Sequence, residues 1–256
     1  MAANKAVRVA IAGARGKTGS VVAAALRHAP GLDVVGRLVR TNSNLDTGEY
    51  ADFAELATTQ KPDVLIDFTV YPASKTLALQ ALSLGIRPVI GTSGYTLADV
   101  EELREACSRL KIGAVYAPNF SIGAILTMQF AKIAAPFFTH ADIVETHHAG
   151  KKDAPSGTAI ATARIISQAG RMRCEPSETV RVEGARGAEV DGVGIHSIRM
   201  PGVIASQEVI FANDDETLVI RHTTSTRTAF VSGVIKAAHA AARLDHFVEG
   251  LGEFAE

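Results

Sequence analysis

The chain has no tryptophan, only two cysteines among 256 residues, and an aromatic content of 5%. So little flat aromatic surface argues against carbohydrate platforms and stacked single-stranded nucleic-acid sites. The cysteines, Cys107 and Cys174, lie far apart and in no CxxC arrangement. That excludes a disulfide scaffold and a zinc finger, and it suits a reducing, cytoplasmic setting. An excess of either sign of charge is missing too. Against 27 Asp and Glu stand 26 Lys and Arg, a formal net charge of −1, so no basic field exists to hold nucleic acid or an anionic membrane. No stretch approaches the ~18 apolar residues of a membrane span, and Arg8 interrupts the start before an apolar leader core forms. Neither nucleic acid nor a membrane is expected as a partner. What is there is ordinary globular material, 47% hydrophobic and 21% charged, enough for one large domain or two modest ones.

Along the first part, Val7 to Ala12 is a β-branched run ending at Gly13, and Lys17 to His28 follows with helical spacing. Leu32 to Val39, Val64 to Phe68, Arg87 to Ile90 and Gly113 to Tyr116 read as strands. Ala73 to Leu84, stopped at Gly85, and Leu97 to Leu110 read as helices. Strands alternating with helices predict βαβ crossovers and a parallel sheet. After Pro118 the texture changes. Ile122 to Ala134 and Ser156 to Gln168 are expected helices, Asp142 to Thr146 a strand, and residues 171 to 192 an exposed charged excursion. Gly194 to Met200, Val203 to Phe211 and Thr217 to Thr224 are expected as consecutive antiparallel strands, and Thr228 to Arg243 as a closing Ala-rich helix.

The first strand runs straight into Gly13, Ala14, Arg15, Gly16, Lys17, Thr18 and Gly19, a GxxGxxG loop. Glycines allow the sharp turn and let backbone N–H groups approach a pyrophosphate at the start of the next helix. Three glycines in seven residues also make an ordinary turn; the position between a first strand and a helix is what favours a dinucleotide. The acid expected about twenty residues on, for the adenosine ribose, is absent. Arg37 and Arg40 stand there instead, and with Lys17 they suit a 2′-phosphate, unless they merely solvate a strand end. NADP(H) is therefore favoured over NAD(H). Gly91, Thr92, Ser93 and Gly94 follow one strand, Ala117, Pro118, Asn119 and Phe120 another, and Asp67-Phe68-Thr69 a third. As a set they trace a cofactor crevice at the carboxyl ends of the strands.

The densest chemistry lies at 145 to 159, Glu-Thr-His-His-Ala-Gly-Lys-Lys-Asp-Ala-Pro-Ser-Gly-Thr-Ala. Ser156 is a good N-cap, so the N–H groups of Gly157 and Thr158 open an anion site with Lys151 and Lys152 beside it. A carboxylate substrate would be gripped there, and a neighbouring histidine would donate a proton near neutral pH. Each part also has a duller reading: a solvated lysine pair, an ordinary helix start, or half a metal site. Against the last, His147 and His148 point to opposite faces of a strand and no third ligand is evident; no metal is expected.

Residues 145 to 159 fit E-x-H-H-x-x-K-x-D-x-P-S-G-T-A at every fixed position, and by that motif the chain resembles the dihydrodipicolinate reductase family of diaminopimelate and lysine biosynthesis. VAIAGARGKTG, DFT at 67 to 69, GTSG at 91 to 94, APNFSIG at 117 to 123, HSIRMPGVIASQEVIF at 196 to 211 and the late RTAFVSGVIKAA support it, so the resemblance spans essentially the whole chain. It implies His147 as the acid/base, Lys151 as proton donor, His148 as a substrate contact, and Gly157 and Thr158 as the carboxylate site. It places cofactor contacts on Gly13 to Thr18, Arg40, Gly91 to Ser93 and Ala117 to Phe120. The fold implied is α/β: a Rossmann-like parallel-sheet domain, residues 1–118 and 228–256, plus a second α+β domain with a mixed or antiparallel sheet. That second domain, 119–227, would bind substrate and build a homotetramer, and closure of the two domains would exclude water. The chain departs from the family at Lys17-Thr18, where GRMG is usual, at Val39, where many members carry an acid, and at Ser206, where histidine is expected. Two other readings remain at this point. A different two-domain NAD(P)-dependent dehydrogenase of amino-acid metabolism would, in the semialdehyde type, need an activated cysteine. A non-catalytic dinucleotide-sensing regulator would have no use for the HH-x-x-K cluster.

Overall fold

The computed structural model describes residues 5–40 and 44–252. The first four residues, on which the reading of the start partly rests, and the last four of the expected 228–256 segment lie outside them. The chain forms two compact units, Met1–Ile122 with Arg227–Glu256, and Gly123–Thr226.

The first unit begins with β1 (Val7–Ala12), α1 (Gly19–Leu26), β2 (Leu32–Leu38), β3 (Glu49–Tyr50), α2 (Phe53–Gln60), β4 (Val64–Asp67), α3 (Ala73–Ser83), β5 (Arg87–Ile90), α4 (Leu97–Leu110) and β6 (Ala114–Tyr116). Val9 to Ala12 and all of β4 are buried, the mark of strands covered on both faces. β1 pairs in parallel with β2 on one side and β4 on the other, so the strand order reverses there. Phe53 and Leu56 of α2 and Leu77 and Ala81 of α3 pack on Ala10, Ala12 and Leu65. Leu103 and Cys107 of α4 extend that layer over Ile90. Thr96 and Asp99 form a reciprocal capping box at the start of α4, satisfying two otherwise orphaned donors. The spacing predicts neither β3 nor α2. β3 has only two residues, and α2 buries just Phe53, Leu56 and Ala57 under an Asp52 cap, too little apolar signal for periodicity to show.

The second unit holds α5 (Ile122–Ala134), a 3₁₀ turn, β7 (His140–His148), α6 (Gly157–Ala169), β8 (Ala188–Val190), β9 (Val193–Met200), β10 (Ala205–Ala212) and β11 (Thr217–Thr224). Its sheet runs β11-β10-β7-β9-β8. The expectation of consecutive antiparallel strands holds for β10 and β11 and fails for β9. β7 sits between β9 and β10, parallel to the former and antiparallel to the latter. Between β7 and β9 the chain runs through α6 and then β8, whose antiparallel hairpin with β9 turns it parallel to β7; alternation within a strand does not encode which neighbour it takes. Ile143, Ile195, Val209 and Phe211 are fully buried under Ala159, Ala163 and Ile166 of α6. Each large side chain so buried contributes ~1.5–3 kcal/mol. The 171–192 excursion is exposed and irregular except for β8.

The chain then returns to the first unit through a 3₁₀ turn at Arg227–Phe230, α7 (Val231–Ala241) and β12 (Phe247–Glu249). α7 buries Val234, Ala237, Ala238 and Ala241. β12 pairs in parallel with β6 and completes a seven-stranded sheet, β12-β6-β5-β4-β1-β2-β3. The closing helix is shorter than expected, and a strand follows it. Among the described residues no helix is long and apolar enough to cross a membrane.

Candidate active site

In the first unit, loops after β1, β4, β5 and β6 share the carboxyl edge of the sheet, where the order reverses and open α/β sheets take their ligands. Gly13 has φ +73°, and a Cβ there would stand 2.5 Å from the Phe68 carbonyl oxygen. A Cβ on Gly19 would overlap the Gly13 carbonyl. The Thr18 side chain, at the N-cap of α1, accepts no hydrogen bond from the first turn, which carries no acid, though the Ser20 N–H is held by the Gly16 carbonyl at 2.9 Å; a helix start without a side-chain cap is where an anion binds. Asp67, fully buried, accepts from the Thr69 N–H at 2.8 Å, from the Ser74 hydroxyl, and from the Thr92 hydroxyl at 3.4 Å. It thereby ties the loops after β4 and β5 together. Phe68 packs against Phe120 at 5.6 Å between ring centres. The Thr69 hydroxyl is buried with no partner among the described residues. That orphan and the uncapped helix start fit a bound dinucleotide.

The charges at this edge differ from the sequence expectation. Glu49, from β3, is buried beside the glycine loop. It accepts from Arg15, at 3.1 Å from Nε and more closely from Nη2, and lies 3.5 Å from Arg37. The Arg15 hydrogen bond holds Glu49 below the usual carboxylate range in spite of its burial. Arg37 is thus occupied, while Lys17 and Arg40 are exposed and neither pairs with an acid among the described residues.

In the second unit, β7 alternates. Ala141, Ile143 and Glu145 are buried on the α6 side, His147 follows on that face, and His148 ends the strand on the other. Glu145 is completely buried. Burial alone would raise its pKa, but hydrogen bonds from His147, Arg199 and Ser197 outweigh it and hold the group at about 2. A carboxylate only accepts, so His147 Nδ1 is the donor, at 2.6 Å, and Nε2 is the ring nitrogen left for other partners on a side chain that is 19% exposed. Arg199, beside His147 on β9, grips Glu145 with a two-pronged fork at 2.7 and 2.8 Å. Its Nη2 also donates to the Asp153 carbonyl at 2.7 Å. The Ser156 N–H donates to Glu145 at 3.1 Å, and the Ser156 hydroxyl caps α6 by accepting from the Ala159 N–H at 3.2 Å. Lys151 Nζ donates to both Asp153 oxygens at 2.8 and 2.9 Å. Burial would raise the Asp153 pKa, yet the ammonium keeps it below the usual range. A Cβ on Gly157 would meet nothing within 4 Å, so the first turn of α6 opens on free space.

His147, Lys151, Gly157 and Thr158 thus belong to one strand end, one loop and one helix start, with His148 at the same strand end on the opposite face. Sequence reasoning missed Glu145, Arg199 and Asp153 as working parts of this cluster. Glu145 is legible once β7 is drawn, since it lies two residues before His147 on the same face. Arg199 is 54 residues from Glu145, and only the sheet order brings them together. Cys107 is buried in α4 and its thiol is pushed up to about 11 by burial, the opposite of an activated nucleophile.

A glycine-turned parallel sheet and, in the same chain, a histidine and a lysine ahead of a helix start are the parts that an NAD(P)H-dependent oxidoreductase uses. Residues 7–120 match the family model described as dihydrodipicolinate reductase, N-terminus, and residues 123–251 the model for its C-terminus. The chain belongs to the dihydrodipicolinate reductase family. It is 41% identical to the 4-hydroxy-tetrahydrodipicolinate reductase of Geobacillus kaustophilus, across 98% of this chain and 99% of that one. To the Bacillus subtilis enzyme of that name it is 40% identical, across 97% of each. Among solved structures it is similar to a dipicolinate-bound dihydrodipicolinate reductase from Paenisporosarcina sp. TG-14, with TM-score 0.85, 34% identity, and coverage of 97% and 99%.

Proposed function

We propose that this chain reduces 4-hydroxy-tetrahydrodipicolinate to tetrahydrodipicolinate in diaminopimelate and lysine biosynthesis, with NADPH favoured over NADH. The observation that carries the reading is the Glu145–His147 pair beside the Ser156-capped start of α6, where Gly157 opens on free space, in a chain of this family. Residues 1–118 and 228–256 act as the dinucleotide domain. Its contacts are Gly13 to Thr18, Arg40, Gly91 to Ser93 and Ala117 to Phe120. With Arg15 and Arg37 engaged by Glu49, Lys17 and Arg40 are the cations open to a 2′-phosphate.

Reduced nicotinamide supplies the hydride; the protein supplies orientation, charge and a proton. The N–H groups of Gly157 and Thr158 hold one substrate carboxylate at the positive end of α6, with His148 as a further contact. The 4-hydroxyl leaves as water to give the conjugated ring, and the Lys151 ammonium would balance the negative charge that hydride addition then leaves on it. His147 Nε2 or Lys151 Nζ delivers the proton, a contribution typically of ~10²–10⁴ in rate.

The second unit, 119–227, also assembles a homotetramer on this reading. The sheet face turned away from α6 exposes Ile198 and Met200, two residues apart on β9, apolar side chains of the kind an interface covers. Two unbridged cysteines are in keeping with a cytoplasmic enzyme. The test is the fall of NADPH absorbance with freshly generated substrate, repeated with Lys151→Ala. The variant should lose kcat by ~10²-fold or more with a smaller change in NADPH affinity. No NADPH consumption, or an undiminished kcat, sinks the assignment.

A further inference from the structure

We propose that Glu145 is a positioning residue, clamped by Arg199, which sets the tautomer and orientation of His147 and ties down the loop that carries Lys151. The proposal rests on the reading of His147 and Lys151 given above and adds what makes them effective. Glu145 itself is completely buried, so it touches neither substrate nor cofactor and acts only through its neighbours.

Three segments converge on this one carboxylate, and a fourth lies behind it. From β7, His147 Nδ1 donates at 2.6 Å. From β9, the Arg199 fork donates at 2.7 and 2.8 Å. From the start of α6, the Ser156 N–H donates at 3.1 Å. On β10, Gln207 lies directly opposite in register, buried and turned to donate to the Thr162 hydroxyl at 2.9 Å. Thr162 in turn donates to the Thr158 carbonyl at 2.7 Å in the first turn of α6. The groups facing Glu145 are therefore the Arg199 guanidinium and the titratable His147 ring, with the Lys151–Asp153 pair one step beyond.

An imidazole has one donor and one acceptor nitrogen when neutral. With a carboxylate at Nδ1, the proton of the neutral ring sits on Nδ1 and the lone pair on Nε2. Nε2 can then take up a proton to form the imidazolium that delivers it, with Glu145 as its counter-charge; without that carboxylate the other tautomer becomes available and the imidazolium loses its stabilisation. Arg199 matters because a lone buried carboxylate is costly, whereas a two-pronged guanidinium fork fixes its plane. The same guanidinium holds the Asp153 carbonyl. That contact pins the loop between His148 and Ser156 at residue 153, next to the Lys151–Asp153 ion pair.

The experiment uses the full-length chain with Glu145→Gln, which preserves shape and removes the charge, and Arg199→Lys, which preserves charge and removes the fork. The first readout is ¹⁵N NMR of the His147 ring, assigned with His147→Gln. The wild type should show a protonated Nδ1 in the neutral ring, and Glu145→Gln a shift of the proton toward Nε2. The second is the kinetic split: kcat falling by about 10²–10⁴-fold, the range seen when a catalytic imidazole loses its orienting carboxylate, while substrate KM moves by much less. The third is amide exchange at Ser156, which should accelerate in both variants. An unchanged His147 tautomer with unchanged kcat in Glu145→Gln overturns the proposal. If that variant does not fold, unchanged Ser156 exchange and kcat in Arg199→Lys overturn it equally. An undiminished kcat in His147→Gln instead overturns the catalytic reading of His147, while the NMR result still decides whether Glu145 sets its ring.

Discussion

Replacing Gly13 and Gly85 by alanine, one at a time, separates two costs that the structure assigns to different glycines. Both residues are left-handed, at φ +73° and +78°, so each alanine pays about 1–2 kcal/mol for that conformation. A Cβ on Gly85 meets nothing within 4 Å, and the cost stops there. A Cβ on Gly13 stands 2.5 Å from the Phe68 carbonyl oxygen, whereas ordinary contact begins at 3.4 Å; the loops after β1 and β4 must part by about 0.9 Å. Forcing a packed region apart adds ~1–3 kcal/mol, bringing Gly13→Ala to about 2–5 kcal/mol. At ~2–4 °C per kcal/mol for a chain of this size, Gly85→Ala should lower Tm by a few degrees and Gly13→Ala by roughly twice as much. Because Phe68 and Thr69 belong to the proposed cofactor edge, only Gly13→Ala should also weaken NADPH. Thermal unfolding by circular dichroism and calorimetric titration of NADPH read the two effects, the latter because the chain has no tryptophan to report binding. Equal Tm shifts and equal NADPH affinities in the two variants would refute the close-approach argument.

Gly157→Ala should leave Tm unchanged or slightly raised, since alanine is the better helix former by up to ~1 kcal/mol, but raise substrate KM by projecting a methyl into the open space at the α6 start; an unaltered KM counts against substrate lying there. Glu49→Gln should release Arg15 and remove one negative charge beside the glycine loop, tightening NADP⁺ relative to NAD⁺ several-fold in calorimetric titrations; a constant ratio shows that Glu49 has no part in cofactor choice. The Glu145 pKa of about 2, against an ordinary 4.5, implies stabilisation fully present above about pH 4.5 and lost as the pH falls toward 2, roughly 3 kcal/mol in all. Denaturant unfolding of the wild type and Glu145→Gln should therefore converge over that window, and parallel pH profiles would show that the buried carboxylate is not the group responsible.

Much of the first unit was legible because its signals are local. A fully buried strand needs consecutive apolar residues, a helix needs its stripe, and a glycine turn between them announces itself in seven residues. The same holds for Ser156, whose capping role depends on a neighbour three residues on. β3 and α2 escaped because two residues, or three buried ones, do not make a period. The partner of β9 escaped because alternation tells a strand which face to bury and is silent on who lies beside it.

The chemistry divides along the same line. The order of residues from Glu145 to Thr158 by itself put a histidine, a lysine and a helix start within one short segment, since adjacency in the chain guarantees adjacency in space. Whether those groups are aimed, paired or free was decided only by tertiary structure. The sheet order carried Arg199 to Glu145 across 54 residues, and β3 delivered Glu49 to arginines that the linear reading had left unopposed. Buried charge demands partners wherever the fold can bring them, and that demand is satisfied through space, where sequence spacing carries no information.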